Sequence, residues 1–242
     1  MRRFILVIAL LLATPGAPPA QETSGGFLFS YRPHEGERSA FEEGYRAHLD
    51  WHRAHQDSLV WYGWDVLAGP RLGQFVDGAF GMRFAALDER VDPGGDAEDA
   101  AETFRPHGTA TARELLLLRP DLSTATPLEE LTPRPFVQVV RYAANPGTVA
   151  RLERALEAVR QVARPDSLLA YTVYEIVAGA EPGFLLMVWR DGMGSFDQVD
   201  RNPERALRYR IADWEDAATI DVTRELWRYR PDLSYLGLEE DG

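Results

Sequence analysis

The feature that most constrains this chain is a repeat. Arg113-Glu114-Leu115 and Arg119-Pro120-Asp121-Leu122-Ser123 return 111 positions later as Arg224-Glu225-Leu226 and Arg230-Pro231-Asp232-Leu233-Ser234. Both copies run on to Leu-Glu-Glu, at Leu128-Glu129-Glu130 and Leu238-Glu239-Glu240. Upstream, Trp64-Asp65-Val66-Leu67-Ala68-Gly69 aligns with Tyr174-Glu175-Ile176-Val177-Ala178-Gly179, Gly73 with Gly183, and Asp92-Pro93 with Asn202-Pro203. Convergent turn chemistry would explain Arg-Pro-Asp alone. Dispersed matches at nearly one offset mean a single unit used twice. The expected units are residues 21–131 and 132–242.

Each unit reads as β-α-β-β-α-β, the ferredoxin-like order. Residues 27–32 and 136–142 are aromatic and β-branched first strands. In the second unit Val149, Leu152, Leu156, Val159 and Val162 recur at helical spacing, with Thr148 available as a cap. Paired apolar runs around a Gly/Pro turn (61–68 with 74–79, 171–178 with 184–189) predict hairpins. Asn202-Pro203-Glu204 is a helix start, with a capping side chain and proline in the first turn. Residues 113–118 and 224–229 predict last strands, each ended by Arg-Pro because proline cannot continue a ladder. The acidic, Gly/Ala-rich stretch 92–108 reads as a loose loop before a helix. The expected fold class is therefore α+β: two tandem ferredoxin-like units whose antiparallel sheets cover each other.

This arrangement resembles the dimeric α+β barrel superfamily, which includes antibiotic-biosynthesis-monooxygenase-like, EthD-like and NIPSNAP-like proteins. The aromatic-then-His helix Phe41…Tyr45…Trp51-His52-Arg53-Ala54-His55 is similar to helices of EthD-like and NIPSNAP-like members. The resemblance implies a barrel built from the paired sheets. It also implies pockets inside the barrel or between sheet and helices, and cofactor-free oxygenase or haem chemistry in some members. The haem-binding chlorite-dismutase-like branch uses a histidine of the second unit. This chain has no histidine after His107, which argues against haem here.

Charge and composition narrow the partners. A net charge of −12 with no Lys/Arg stripe argues against nucleic acid and against docking on anionic lipid. There is no cysteine, which excludes disulfides, thiolate nucleophiles and thiolate metal sites. No phosphate loop, dinucleotide-binding glycine pattern or Gly-x-Ser-x-Gly elbow is present. Residues 1–20 have the order of a secretory signal: Arg2-Arg3, an apolar run over 4–13, then Ala17-Pro18-Pro19-Ala20. The run is about half the ~20 residues needed to span a bilayer. Export to a periplasmic or extracellular space is expected, with no membrane partner after cleavage.

The candidate site lies on the first unit. Phe41, Tyr45, His48, His52 and His55 share one helical stripe, which should face the sheet. The second unit carries Leu and Val there. The histidine row reads three ways: a satisfied core feature, a polar ligand pocket, or a metal site in which His48 and His52 share an ion at i, i+4. Asp65 and Asp77 on the following strands are further candidates, and Asp65 is expected to be a buried acid matched by Glu175. Its partner is expected to be a histidine, Arg71 or Arg83. It reads as structural, or as a general base beside the histidines. Trp61 and Trp64 read as core or pocket lining. The catalytic candidates are thus His48, His52 and Asp65. Tyr45, His55, Trp61, Trp64, Asp77 and Arg83 are the ligand-binding candidates. The functions left open are an exported small-ligand-binding protein or cofactor-independent enzyme, a metal- or haem-binding protein, and a non-enzymatic interaction module. Two sheets in one chain predict a monomeric pseudo-dimer, with a homodimer as the alternative.

Overall fold

The computed structural model describes residues 24–125, 128, 133–162, 169–179, 181–215 and 217–237. The expected signal segment 1–20, most of both Leu-Glu-Glu runs and the side chain of Val162 lie outside the described residues. The first half runs β1 (Gly25–Pro33), α1 (Arg38–Ala54), β2 (Tyr62–Ala68), β3 (Phe75–Met82), α2 (Pro93–Thr103) and β4 (Gly108–Leu118). The second runs β5 (Phe136–Ala143), α3 (Pro146–Val162), β6 (Tyr171–Ala178), β7 (Gly183–Arg190), α4 (Pro203–Ile211) and β8 (Asp221–Tyr229). The β-α-β-β-α-β order thus occurs twice.

The eight strands close into one antiparallel barrel in the order β1-β3-β2-β8-β5-β7-β6-β4. Two seams join the halves, and they match residue for residue. Trp64, Asp65, Val66 and Ala68 of β2 pair with Tyr229, Arg228, Trp227 and Leu226 of β8. Tyr174, Glu175, Ile176 and Ala178 of β6 pair with Leu118, Leu117, Leu116 and Leu115 of β4. Closure leaves no open sheet edge, the usual template for aggregation. Each seam ends at a glycine with positive φ, Gly69 (105°) and Gly179 (102°). A side chain there would strike the carbonyl oxygen of Arg224 or Arg113, so only glycine lets the strands approach.

The repeated Arg-Pro-Asp-Leu-Ser segment is a reciprocal clasp. Arg230 reaches out of the second half to Glu42 (2.8 Å) and Asp65 (3.0 Å), while also holding its own Asp232. Arg119 reaches out of the first half to Glu153 (2.5 Å) and Glu175 (3.3 Å), while holding Asp121. Ser234 accepts the amide of Gly63 and Ser123 that of Val173, both at 2.9 Å.

Strand alternation sorts the side chains. Leu28, Tyr62, Trp64, Val66, Val76 and Phe80 point into the barrel, where they meet Tyr174, Met187 and Trp227. Phe41, Tyr45 and Leu49 of α1 pack outside it against Tyr31, Phe75 and Phe104. In the second half Leu152, Leu156 and Val159 do the same against Tyr142, Tyr171 and Phe184.

Several expectations need correction. Residues 92–108 are not a loose loop. Asp92 caps α2 by accepting the Gly95 amide at 3.0 Å, and Pro93 opens the helix. This is the same device as Asn202-Pro203 on α4. The cap of α3 is not Thr148 but Asn145, whose side chain accepts the Thr148 amide at 3.0 Å, again just before a proline. The last strands start earlier than expected, at Gly108 and Asp221, because the ladders with β1 and β5 run on beyond the apolar stretch. β3 likewise extends to Met82.

Candidate functional site

A cavity of about 360 Å³ opens between α1, α2 and the outer face of β1 and β3. Gly44 lets α2 come close, since a Cβ there would lie 2.4 Å from the Thr103 carbonyl oxygen. That approach carries the acidic residues of α2 onto the histidine face of α1.

The imidazoles of His48 and His52, one turn apart, have ring centroids 4.7 Å apart. Their Nε2 atoms converge on one oxygen, Oδ1 of Asp96, at 3.2 and 3.6 Å. Their Nδ1 atoms are each held by another carboxylate. His48 meets Asp99 at 2.7 Å, and His52 meets Asp57 at 2.8 Å. Asp57 is fixed in turn by the Leu59 amide at 3.0 Å and the Trp61 indole at 3.2 Å. The second Asp96 oxygen takes a 2.5 Å hydrogen bond from Arg90, whose guanidinium lies over Trp61.

The charges are strongly coupled. Burial pushes the His48 pKa down, but hydrogen bonds to Asp96 and Asp99 outweigh it and leave the pKa raised. Burial alone would raise the Asp96 carboxyl. The bonds from His48 and Arg90 instead hold it down to about 2. Asp57 is lowered in the same way, with burial outweighed by His52, Leu59 and Trp61. Asp77 goes the other way. It is fully enclosed, and burial lifts it to about 7 although the Tyr45 hydroxyl donates to Oδ2 at 2.6 Å. Among the described residues, its Oδ1 meets no donor from another residue.

His48, His52, Tyr45, Trp61 and Asp77 line this one cavity. The remaining candidates do not line it. His55 is exposed, stacked on Trp51 with its Nδ1 against the Trp51 carbonyl oxygen. Trp64 points into the barrel, because it sits at an even position on a strand whose odd positions face the helices. Arg83 is exposed just after β3. Asp65 is buried but lies against the first turns of α1, where Arg38, Arg228 and Arg230 surround it. At ~1.5 Å rise per residue, the Glu42 level it shares is about 9 Å along the helix from His48. Its partners are neither a histidine nor Arg71 nor Arg83, so it is a clasp residue and not a base beside the histidine row. Glu175 is not buried, with its side chain 44% exposed. Arg71 is committed to Glu225 at 2.6 Å.

Sequence reasoning missed Asp57, Arg90, Asp96 and Asp99. The alignment of Asp92-Pro93 with Asn202-Pro203 was the available signal. Applied to the first unit, it makes a helix of residues 93–103 and puts Asp96 and Asp99 on one of its faces.

His48, His52 and Asp96 offer ligand atoms that all lie within 4.8 Å of one another. Bonds of about 2.05 Å in a tetrahedral site place neighbouring ligand atoms about 3.3 Å apart. The two distances to Asp96 bracket that value. Metal-bound histidines typically give their other ring nitrogen to a carboxylate. Both histidines do so here.

No protein-family model and no curated protein matches the chain. Solved structures do. A proposed monooxygenase from Lactobacillus acidophilus NCFM matches 89% of this chain and 98% of its own, with TM-score 0.53 and 14% identity. An anthrone oxidase-like protein matches 87% of this chain and 92% of its own, with TM-score 0.55 and 12% identity. The chain has the dimeric α+β barrel fold. A chlorite dismutase variant from Candidatus Nitrospira defluvii, in complex with cyanide, also aligns over 88% of this chain and 93% of its own (TM-score 0.53, 10% identity). At these identities the likeness carries the barrel and not its chemistry.

Proposed function

We propose that this barrel binds a divalent transition metal through His48, His52 and Asp96 and presents it to a small molecule in the α1–α2 cavity, as an exported ligand-binding protein or enzyme. One observation carries the reading: two imidazole Nε2 atoms and one carboxylate oxygen converge while separate carboxylates hold both Nδ1 atoms. Two histidines and one carboxylate leave coordination positions open toward the cavity and suit Zn(II) or Fe(II). An ion there would polarise an oxygen of the bound molecule. Asp77, facing the same cavity with a pKa near 7, would take or give a proton close to neutral pH.

The test is calorimetric titration of chelator-treated protein with Zn(II), and with Fe(II) under anaerobic conditions. One equivalent should bind per chain, and His48→Ala/His52→Ala should abolish it while the far-ultraviolet circular dichroism stays unchanged. Binding no stronger than in that double variant would end the metal reading.

A second reading keeps the cavity and dispenses with metal. Asp77 alone, buried and short of a donor on Oδ1, could serve as a cofactor-independent base. Ligand binding or turnover that survives chelation but is lost in Asp77→Asn would favour it. Haem has less support than this reading. The second-half counterparts of Tyr45, His48 and Asp77 are Leu156, Val159 and Leu186, packed in an apolar core with no imidazole. Export rests on the leader-like residues 1–20, and N-terminal sequencing of secreted protein tests it. Two sheets closing one barrel within one chain support a monomeric pseudo-dimer over a homodimer, and light scattering tests that.

A further inference from the structure

The two halves differ at one arginine in a way that bears on what the cavity accepts. In the second half Arg224 of β8 is paired with Glu204 in the first turn of α4, at 2.8 and 3.1 Å. The equivalent arginine of the first half is Arg113 on β4. The position matching Glu204 is Gly94, since Asp92-Pro93 matches Asn202-Pro203. Arg113 thus has no counterpart of that acid opposite it. Its guanidinium instead lies over the rings of Phe29 (4.8 Å) and Phe27 (5.8 Å) and lines the cavity. Arg105 lines the same mouth. Among the described residues, neither has a carboxylate within ion-pair distance. The third arginine of the wall, Arg90, is paired with Asp96. Unpaired cations facing a cavity are notable in a chain of net charge −12. Both act on the cavity's Tyr31 hydroxyl, opposing the burial and the Asp77 charge that push its pKa up.

We infer that the cavity takes a planar aromatic carboxylate, its anionic end held at the mouth by Arg113 and Arg105 and its ring against Phe29, Tyr31 and Phe104. A guanidinium grips a carboxylate through two parallel hydrogen bonds, a geometry no neutral oxygen reproduces. The aromatic wall supplies flat apolar area next to that grip. Only the inner end of the ligand, directed toward His48, His52 and Asp96, rests on the metal reading above. The grip itself does not.

The experiment is calorimetric titration of the full chain with 2-naphthoate and with its neutral analogue 2-naphthalenemethanol. Each titration is run on chelator-treated protein and repeated after Zn(II) loading. Naphthoate should bind one to one and more tightly than the alcohol, in both states. Arg113→Ala should weaken naphthoate by about tenfold or more and leave the alcohol unchanged. Gly94→Glu restores the acid present in the second half, and the site has room for it, the nearest atom to a Cβ there being 3.7 Å away. It should weaken naphthoate to the same degree while keeping Arg113 in place, so it carries the test if Arg113→Ala fails to fold. Equal binding of acid and alcohol, or naphthoate affinity untouched by both substitutions, overturns the inference. Naphthoate binding without Zn(II) binding would remove the metal and keep the clamp. The converse would remove the clamp and keep the metal.

Discussion

Replacing Asp77 by Asn should stabilise the protein at alkaline pH. Asp77 is 4% exposed, and burial lifts its carboxyl from 3.8 to about 7. The native state therefore holds a proton that the unfolded chain releases between these values. The stability attached to that proton is complete below about pH 4 and is lost as pH rises through 7. A shift of about three units corresponds to about 4 kcal/mol, the cost of carrying the buried charge above pH 8. Asn carries no charge and can still accept from the Tyr45 hydroxyl. Its NH2 group takes the place of the buried Oδ1 and needs acceptors there, and leaving it unsatisfied costs about 2 kcal/mol. The net gain at pH 8.5 is then about 2 kcal/mol, or a rise of roughly 4–8 °C in Tm for a chain of this size. The assay is thermal and urea unfolding of both proteins in chelator at pH 5 and pH 8.5. The advantage of Asp77→Asn should vanish or reverse at pH 5. A difference that does not change with pH, or a variant less stable than the parent at pH 8.5, would refute the argument that burial of this charge is the governing cost.

Three further outcomes follow from the geometry. Arg230→Ala should cost about 3 kcal/mol in urea unfolding, because it strips a partner from buried Asp65. Arg119→Ala should cost under about 1 kcal/mol, since Glu153 and Glu175 are 35% and 44% exposed. Asp57→Asn should weaken Zn(II) binding by about 10- to 100-fold, read by competition with a coloured chelator, because it removes the carboxylate that orients His52.

The barrel was legible because repetition and strand alternation are local signals. A nearly constant offset revealed the element order, and the period of two separated Trp64 from Gly63 and Asp65. Nothing local joins one seam to the other. Yet the residues that close the seams, Arg119 and Arg230, stood out as the most faithfully repeated segment. The site was half legible. The 3.6-residue period put Tyr45, His48 and His52 on one face of α1. Asp96 and Asp99 reach them only because Gly44 lets a second helix approach, a contact between residues some fifty positions apart. The paired glycines and the acidic run made that helix look like a loop, and its capping aspartate and its alanines outweigh the weak preference of glycine. Asp65 misled because its neighbours come from three separate segments, and strand periodicity tells only that it is covered, not by what.

Two sheets on one polypeptide also bear on how such a site can change. Were the barrel built from two identical chains, every substitution would occur at both ends. Losing the acid that restrains an arginine, or swapping Val for His on a packed helix, would then disturb both cores together. Here Gly94 stands opposite Glu204, and His48 opposite Val159. One end can carry buried charge while its counterpart keeps an apolar core and holds the shared barrel shut.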